Sequence, residues 1–219
     1  MARPKNDILR NAIFEKATYL FTSVGYKRTS YAVIADELSI QRALVQYYVP
    51  IKDELAKRFL KSELARALQA WNFSEADLLE RADRILAVLA TFFGLFTQDA
   101  GRACFLKDIL ENRTLCYATM PLDAAWIARL LIGNKSLSQD DTHAILKTTF
   151  IGLGGFYELT YDHLTKEDTW QATDVAKALS LVVEYAISQL EHLTGKTRLL
   201  SLAIDLDNDA LTNALTRIE

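Results

Sequence analysis

The 219-residue sequence has few of the residues that turns, disulfides and membrane crossings require. Its 8 glycines and 3 prolines are a poor supply for a many-stranded β protein. Two cysteines, Cys104 and Cys116, are too few for a disulfide framework and favour a reducing compartment. The N-terminus lacks the apolar segment of a secretory signal. The longest apolar run, 85–96, is about half as long as a membrane-spanning helix. We therefore expect a cytoplasmic protein that does not contact a membrane.

Charge is distributed unevenly along the sequence. Half of the residues are apolar and 24% are charged, a composition typical of a folded globular protein. Residues 1–66 carry 12 Lys and Arg against 7 Asp and Glu, a net charge of +5, whereas residues 67–219 carry −8. This asymmetry favours a basic module that binds a polyanion and an acidic module that does not, although chance also produces such an imbalance. The sequence predicts two domains, 1–66 and 67–219, that share one helix.

Apolar residues recur at helical spacing throughout the chain, which predicts an all-α protein. Gly25 ends the first helix, and Thr29 and Ser30 are suitable N-cap residues for the second. The predicted helices lie near 6–24, 32–38, 41–48, 51–71, 75–97, 101–117, 123–133, 138–164, 168–194 and 207–218. The two short helices before residue 50 are joined by a tight turn. That is the layout of a helix-turn-helix, whose second helix enters the major groove of DNA.

Many residues of the basic segment match a known N-terminal signature in type and in spacing, without a gap. They are Ile13, Ala17, Leu20, Phe21, Gly25, Tyr26, Thr29, Ser30, Ile34, Ala35, Ile40, Leu44, Val45, Gln46, Tyr47, Tyr48, Pro50, Lys52 and Leu55. In these positions the sequence resembles the tetracycline-repressor (TetR) family of transcriptional regulators. Ser39 stands where that family usually has Gly, and Tyr48-Val49 replaces its usual His-Phe pair. The rest of the chain resembles the family only in length and helical pattern.

Three candidate DNA-binding residues lie in the first turn of the predicted recognition helix. Arg42 is suited to pairing with guanine and Gln41 to pairing with adenine, each worth about 1–3 kcal/mol of discrimination. Leu44 either contacts a thymine methyl group or packs in the core, and the sequence leaves both alternatives open.

There are four further DNA-binding candidates, and the resemblance gives three of them their roles. It implies that Thr29, Tyr47 and Lys52 bind phosphates, which fix the register on the duplex. Tyr48 lies beside Tyr47 at the end of the same helix. The resemblance also implies a homodimer on a two-fold site in double-stranded DNA.

Aromatic residues are concentrated in the middle of the sequence, where each is suited to the core and the group is suited to lining an apolar cavity. The resemblance places a ligand pocket among the helices near 101–117, 123–133 and 138–164. The candidate ligand-binding residues are Phe93, Phe96, Phe105, Asn112, Trp126, Phe150 and Tyr157. They favour a small hydrophobic effector of unknown identity.

Gly152, Gly154 and Gly155 stand within a predicted helix, where glycine costs about 1 kcal/mol relative to Ala. Close approach of a second helix explains such a cluster, and so does a kink beside a ligand. The resemblance implies that the last two long helices form a four-helix bundle with a second subunit. The candidate interface residues are Gly154, Gly155, Leu179, Val182, Val183, Ala186 and Leu190. The alternative is that this apolar face is buried within one subunit.

The sequence contains no recognisable catalytic or metal-binding set. The histidines His143, His163 and His192 are scattered, and there is no His-Glu-x-x-His motif. Neither cysteine has a histidine at ligand spacing. We therefore expect no catalysis, no metal and no cofactor.

These observations predict a ligand-responsive transcriptional regulator, in the simplest case a repressor. It would bind its operator as a homodimer and be released by a small hydrophobic effector. The alternative is a co-regulator, an interaction protein of the same fold that has lost operator binding. Ser39, Tyr48 and Val49 motivate that alternative.

Overall fold

Helices make up the regular structure of the described part of this chain. The computed structural model describes residues 7–79, 81–166, 172–194 and 208–217. Within those ranges lie α1 Asp7–Val24, α2 Tyr31–Glu37, α3 Arg42–Tyr48, α4 Asp53–Ala70, α5 Ala82–Thr97, α6 Ala100–Glu111, α7 Arg113–Thr119, α8 Ala124–Ile132, α9 Gln139–Lys166, α10 Ala172–Thr194 and α11 Asn208–Thr216, with a 3₁₀ turn at Glu75–Leu78. The same ranges contain no strand, and the predicted all-α class is confirmed.

Local capping interactions explain where several helices begin and end. Gly25 has φ +85° and its N–H donates to the Phe21 carbonyl at 3.2 Å, so it ends α1 in the left-handed conformation, as predicted. Ser30 begins α2 by accepting a hydrogen bond from the Val33 N–H. Ser138 begins α9 in the same way, accepting from the Asp141 N–H.

Two of the predicted helices are divided in the structure. The segment predicted at 101–117 breaks at Asn112, whose side chain accepts from the Leu115 N–H at 3.1 Å and begins α7. The segment predicted at 75–97 opens with the 3₁₀ turn, where Asp77 accepts from the Ser74 N–H at 2.8 Å, and α5 begins only at Ala82. Apolar periodicity misses such breaks because the apolar spacing continues across them.

The described chain forms two compact units that differ from the predicted division at residue 66. Unit 1 contains the N-terminal helices as far as Ser62 together with residues 99–121, and unit 2 contains residues 63–98 and the chain from Leu122 onward. Helix α4 contributes to both. The segments of unit 1 carry 14 Lys and Arg against 9 Asp and Glu, a net charge of +5, and those of unit 2 carry 11 against 19, a net charge of −8. The charge asymmetry therefore follows the compact units.

Unit 1 is built on an aromatic core. Phe21, Phe59 and Phe105 are fully buried, and the ring of Phe105 lies 4.9 Å from each of the other two. Close backbone contact holds α6 against α1, since a Cβ on Gly101 would lie 1.7 Å from the Thr22 carbonyl oxygen. This packing explains why residues 99–121 belong to unit 1.

Unit 2 is organised around α5. Thirteen of its sixteen residues are buried, which is the pattern of a helix enclosed on all sides. Helices α8, α10 and α11 pack against it, and α9 packs against α8 and α10. Among the described residues, no single helix is long and apolar enough to span a membrane; α7 and α8 meet that criterion only when taken together.

Candidate nucleic-acid interface

A tight turn connects α2 to α3. Its backbone is held by two hydrogen bonds, from the Ser39 N–H to the Asp36 carbonyl at 3.1 Å and from the Ile40 N–H to the Ala35 carbonyl at 2.9 Å. Ser39 adopts φ +52°, a conformation that favours glycine over residues with a Cβ. Ser39 therefore has a strained backbone conformation, and the two hydrogen bonds of the turn form in spite of that strain.

Helix α3 turns one face inward and one face outward. Val45 is fully buried, and Tyr48 is 9% exposed. The outward face presents Arg42, Ala43, Gln46 and Tyr47, with Leu44 half-buried at its edge. The helix carries no acidic residue.

The structure places the candidate DNA-binding residues of this segment in different environments. Gln41 and Arg42 are exposed, with Gln41 as the N-cap residue of α3 and Arg42 as its first residue. Tyr47 is 49% exposed. Tyr48 is a correction: its ring is buried and stands edge-on to the Tyr47 ring at 5.3 Å, so it supports the neighbouring tyrosine from inside.

Thr29 is also a correction. Its side chain is fully buried, and its hydroxyl donates to the Gly25 carbonyl at 2.8 Å. That hydrogen bond closes the loop between α1 and α2, so the hydroxyl is directed into the fold and away from solvent. Ser30, one residue further on, is exposed and caps α2.

Lys52 lies against the loop that follows α1. Its ammonium donates to the Tyr26 carbonyl at 2.6 Å and stands 3.7 Å from the centre of the Tyr26 ring. Burial lowers the pKa of Lys52, while the nearby carboxylates of Asp53 and Asp108 act in the opposite direction. The Tyr26 carbonyl and ring therefore hold the Lys52 ammonium, which has three N–H donors, at the end of the loop.

Sequence reasoning missed an acidic partner of the same loop. Asp108 of α6 is 7% exposed, and its carboxylate accepts from the backbone N–H of Lys27 at 2.8 Å. The Lys27 ammonium lies 3.9 Å from the same carboxylate and forms an ion pair with Glu111. No sequence pattern relates residues 27 and 108, because only the packing of α6 on α1 brings them together.

The ligand-binding candidates do not form one group. Phe105 and Asn112 belong to unit 1, where Phe105 packs in the aromatic core and Asn112 caps α7. Both side chains therefore have a part in the folding of unit 1. Phe150 is 51% exposed on α9. Trp126 is half-buried, and its indole N–H donates to Glu75 at 3.3 Å.

Three aromatic side chains do come together inside unit 2. Phe93 is fully buried and its ring lies 4.7 Å from Phe156 and 6.1 Å from Tyr157. The Tyr157 hydroxyl donates to the Leu122 carbonyl at 2.7 Å. Phe96, another candidate, is fully buried in the same helix as Phe93.

The apolar face predicted on α10 is buried within one chain, which is the alternative that the sequence left open for those residues. Leu179, Val182, Val183, Ala186 and Leu190 are each 9% exposed or less. A Cβ on Gly152 of α9 would lie 2.7 Å from Val182 Cγ1, which explains that glycine by close helix approach.

Gly154 and Gly155 differ from Gly152. A Cβ on either would have no heavy atom within 4 Å, so both face open space in this chain. Exposed apolar side chains accompany them on α9 and α10: Ile151, Leu159, Leu181 and Tyr185. We name these four side chains with Gly155 the outer stripe.

The cysteines and the acidic residues do not form a metal site in the described ranges, where no group of three His, Cys, Asp or Glu side chains is able to hold an ion. Cys116 is buried, and burial raises the pKa of its thiol to about 11. Cys104 is half-buried, with its Sγ beside Gly25.

Comparison of the chain with protein-family models, curated proteins and solved structures found no match.

Proposed function

We propose that the protein is a DNA-binding transcriptional regulator of the TetR type, and that α2, the turn at Ser39 and α3 form its helix-turn-helix. The observation that carries the proposal is the outward face of α3, which presents Arg42, Gln46 and Tyr47 from a unit of net charge +5. An exposed short helix without acidic residues is suited to the major groove, whose walls are anionic.

Each group on that face has a chemical role in the proposal. The Arg42 guanidinium pairs with both acceptors of a guanine, and the Gln46 amide with adenine. Gln41 reaches the same groove from the N-cap position. Tyr47 directs its hydroxyl to a phosphate, and the Lys52 ammonium donates to a phosphate with a further N–H, so that phosphate contacts set the register.

Dimerisation through the outer stripe is the second part of the proposal. Ile151, Gly155 and Leu159 recur every four residues and so lie along one side of α9. Leu181 and Tyr185 are spaced in the same way on α10, which packs against α9. The buried residues of both helices face the core of unit 2. The outer stripe is on the opposite, solvent-exposed side, and an exposed apolar patch of this kind is typical of a protein–protein interface.

The composition of the outer stripe indicates that its partner is a second copy of this chain. Gly155 in the stripe and Gly154 beside it both face open space and leave room for a close helix, and a two-fold pair of such stripes builds a four-helix bundle. A dimer also contains two copies of the recognition helix α3. They would bind two half-sites about 34 Å apart on one side of the duplex.

Release by an effector completes the proposal. A small hydrophobic molecule bound in unit 2, near Phe93 and Tyr157, would favour one distance between the two α3 helices of the dimer over another. Its effect is limited by the difference between its affinities for the two states.

A selection of duplexes from a random pool with the full-length protein tests DNA binding, followed by titrations of the selected duplex at several salt concentrations. We expect a steep fall in affinity with salt, since bound phosphates release counterions. Arg42→Ala should lose roughly tenfold or more in affinity together with preference at one base pair. Arg129→Ala, which removes the same charge from an exposed position on α8, is the matched control and should bind as the unchanged protein does.

The co-regulator alternative makes the opposite prediction, namely that no duplex is selected. Ser39, Tyr48 and Val49 motivated it, but Tyr48 and Val49 are both buried and Ser39 adopts the required positive φ. The departures from the family signature therefore leave the outward face of α3 in place, which favours the regulator.

A further inference from the structure

The outward face of α3 is divided lengthwise into two strips of different chemistry. Arg42 and Gln46 are four residues apart and form a hydrogen-bonding strip, and Ala43 and Tyr47, also four residues apart, form an apolar strip beside it. Leu44, half-buried, borders the apolar strip on its other side. The apolar strip thus consists of the Ala43 methyl group and the Tyr47 ring, and its one polar group is the hydroxyl at the tip of Tyr47.

We infer that the apolar strip reads the C5 methyl groups of thymine, so that each half-site contains at least one thymine beside the purine that Arg42 or Gln46 reads. The inference rests on the proposed function. In the major groove, thymine is the base that presents a methyl group, while the other bases present hydrogen-bonding groups alone at that edge.

The small side chain of Ala43 is central to this inference. Its methyl group adds little bulk, so the backbone of α3 is free to approach the base edges closely at that position. A G·C pair placed there would have its exposed polar groups covered by a side chain that neither donates nor accepts, which is unfavourable. A thymine methyl group placed there is removed from water against Ala43 and the face of the Tyr47 ring, which is favourable.

Replacement of thymine by deoxyuridine measures this contact directly, because it removes the C5 methyl group and leaves base pairing intact. The probe is the duplex selected from the random pool, with each thymine of a half-site replaced in turn and binding followed by fluorescence anisotropy. We expect one or two positions at which deoxyuridine weakens binding roughly fourfold, the effect of burying one methyl group. The remaining positions should be unaffected.

Two variants test whether Ala43 is the side chain that contacts the thymine methyl group. In Ala43→Ser the hydroxyl replaces an apolar surface by a polar one, and the deoxyuridine penalty at one position should fall to less than twofold. Arg42→Ala is the matched control on the other strip: it should bind more weakly overall and keep the full penalty.

The outcomes separate the two proposals. Specific binding with no thymine in the half-site, or with no deoxyuridine penalty at any position, overturns the thymine inference and leaves DNA binding standing. A failure to select any duplex overturns the proposed function and the inference with it.

Discussion

The carboxylate of Asp108 accepts a hydrogen bond from the backbone N–H of Lys27 at 2.8 Å, although 81 residues separate the two in sequence. Asp108 is buried, and its hydrogen bond fixes the loop between α1 and α2 to α6. The loop leads directly into α2, so α6 has a part in positioning the proposed DNA-binding helices.

Replacement of Asp108 by Ala should destabilise the protein by about 1–3 kcal/mol, because the Lys27 N–H loses its buried acceptor. Urea unfolding followed by circular dichroism measures the change. Glu111→Gln is the control, since Glu111 pairs with Lys27 at an exposed position where an ion pair is worth about 0–1 kcal/mol. Equal losses in the two variants would contradict a special role for Asp108.

Ser39→Gly should stabilise the protein by about 0.5–1 kcal/mol. Glycine relieves the strain of positive φ at residue 39, and this gain exceeds the entropy that glycine adds to the unfolded chain. Asn72→Gly is a matched comparison at φ +55°, where the gain should be smaller because asparagine tolerates this conformation. The midpoints of urea unfolding give both values, and a loss of stability in Ser39→Gly would show that serine is not strained there.

Gly152→Ala should cost about 1–3 kcal/mol, because the new methyl group overpacks against Val182. In a Val182→Ala background the same change should cost less, or should stabilise α9 by up to about 1 kcal/mol through helix propensity. The double-mutant cycle, measured by thermal unfolding, isolates this contact. Additive effects would mean that α9 and α10 do not meet closely at Gly152.

A charge on the outer stripe should dissociate the proposed dimer. Leu159→Glu and Leu181→Glu each place a carboxylate on the surface that a second copy would bury, and we expect the dissociation constant to rise at least tenfold. Sedimentation equilibrium measures it. Tyr117→Glu is the control, as Tyr117 is similarly exposed but lies in unit 1. A monomer at all concentrations in the unchanged protein would refute dimerisation through this surface.

Cys116 should contribute stability that is lost at alkaline pH. Its pKa is raised from 9.0 in the ordinary thiol to about 11 in the folded chain, so the contribution is complete below pH 9 and falls as pH rises toward 11. The Cys116→Ala variant should show a smaller fall in urea stability over that interval.

Thiol labelling provides an independent readout of Cys116. In a Cys104→Ser background at pH 8, the native protein should react with an alkylating reagent at least tenfold more slowly than the urea-unfolded chain, because the thiolate is the reactive form. Equal rates would show that the thiol is accessible and ordinary.

Several local features were predictable from the sequence because neighbouring residues decide them. Gly25 ends α1, and Ser30 and Ser138 begin helices, through hydrogen bonds that span no more than four residues. The all-α class follows from the same short-range periodicity. The breaks at Asn112 and before Ala82 were missed, since the apolar spacing continues across both of them.

The predictions for α10 and for Thr29 show where sequence reasoning stops. An apolar face looks the same whether it meets another subunit or the core of its own chain, and the packing of α5, α8 and α9 buries Leu179 and Leu190. Thr29 matched a family position, but its hydroxyl is turned inward to Gly25. The direction of a side chain depends on backbone angles and neighbours that a one-dimensional pattern does not contain.

The sequence alone determined that the chain is helical, that its basic residues concentrate near the N-terminus, and that α3 follows a tight turn, because periodicity, net charge and capping act over short distances. Only the tertiary structure decided that α6 belongs with the basic unit, that Asp108 holds the loop at Lys27, and that Ala43 and Gln46 share an outward face. Those facts depend on which helices pack together, and packing is set by the combined shape and burial of residues far apart in the chain.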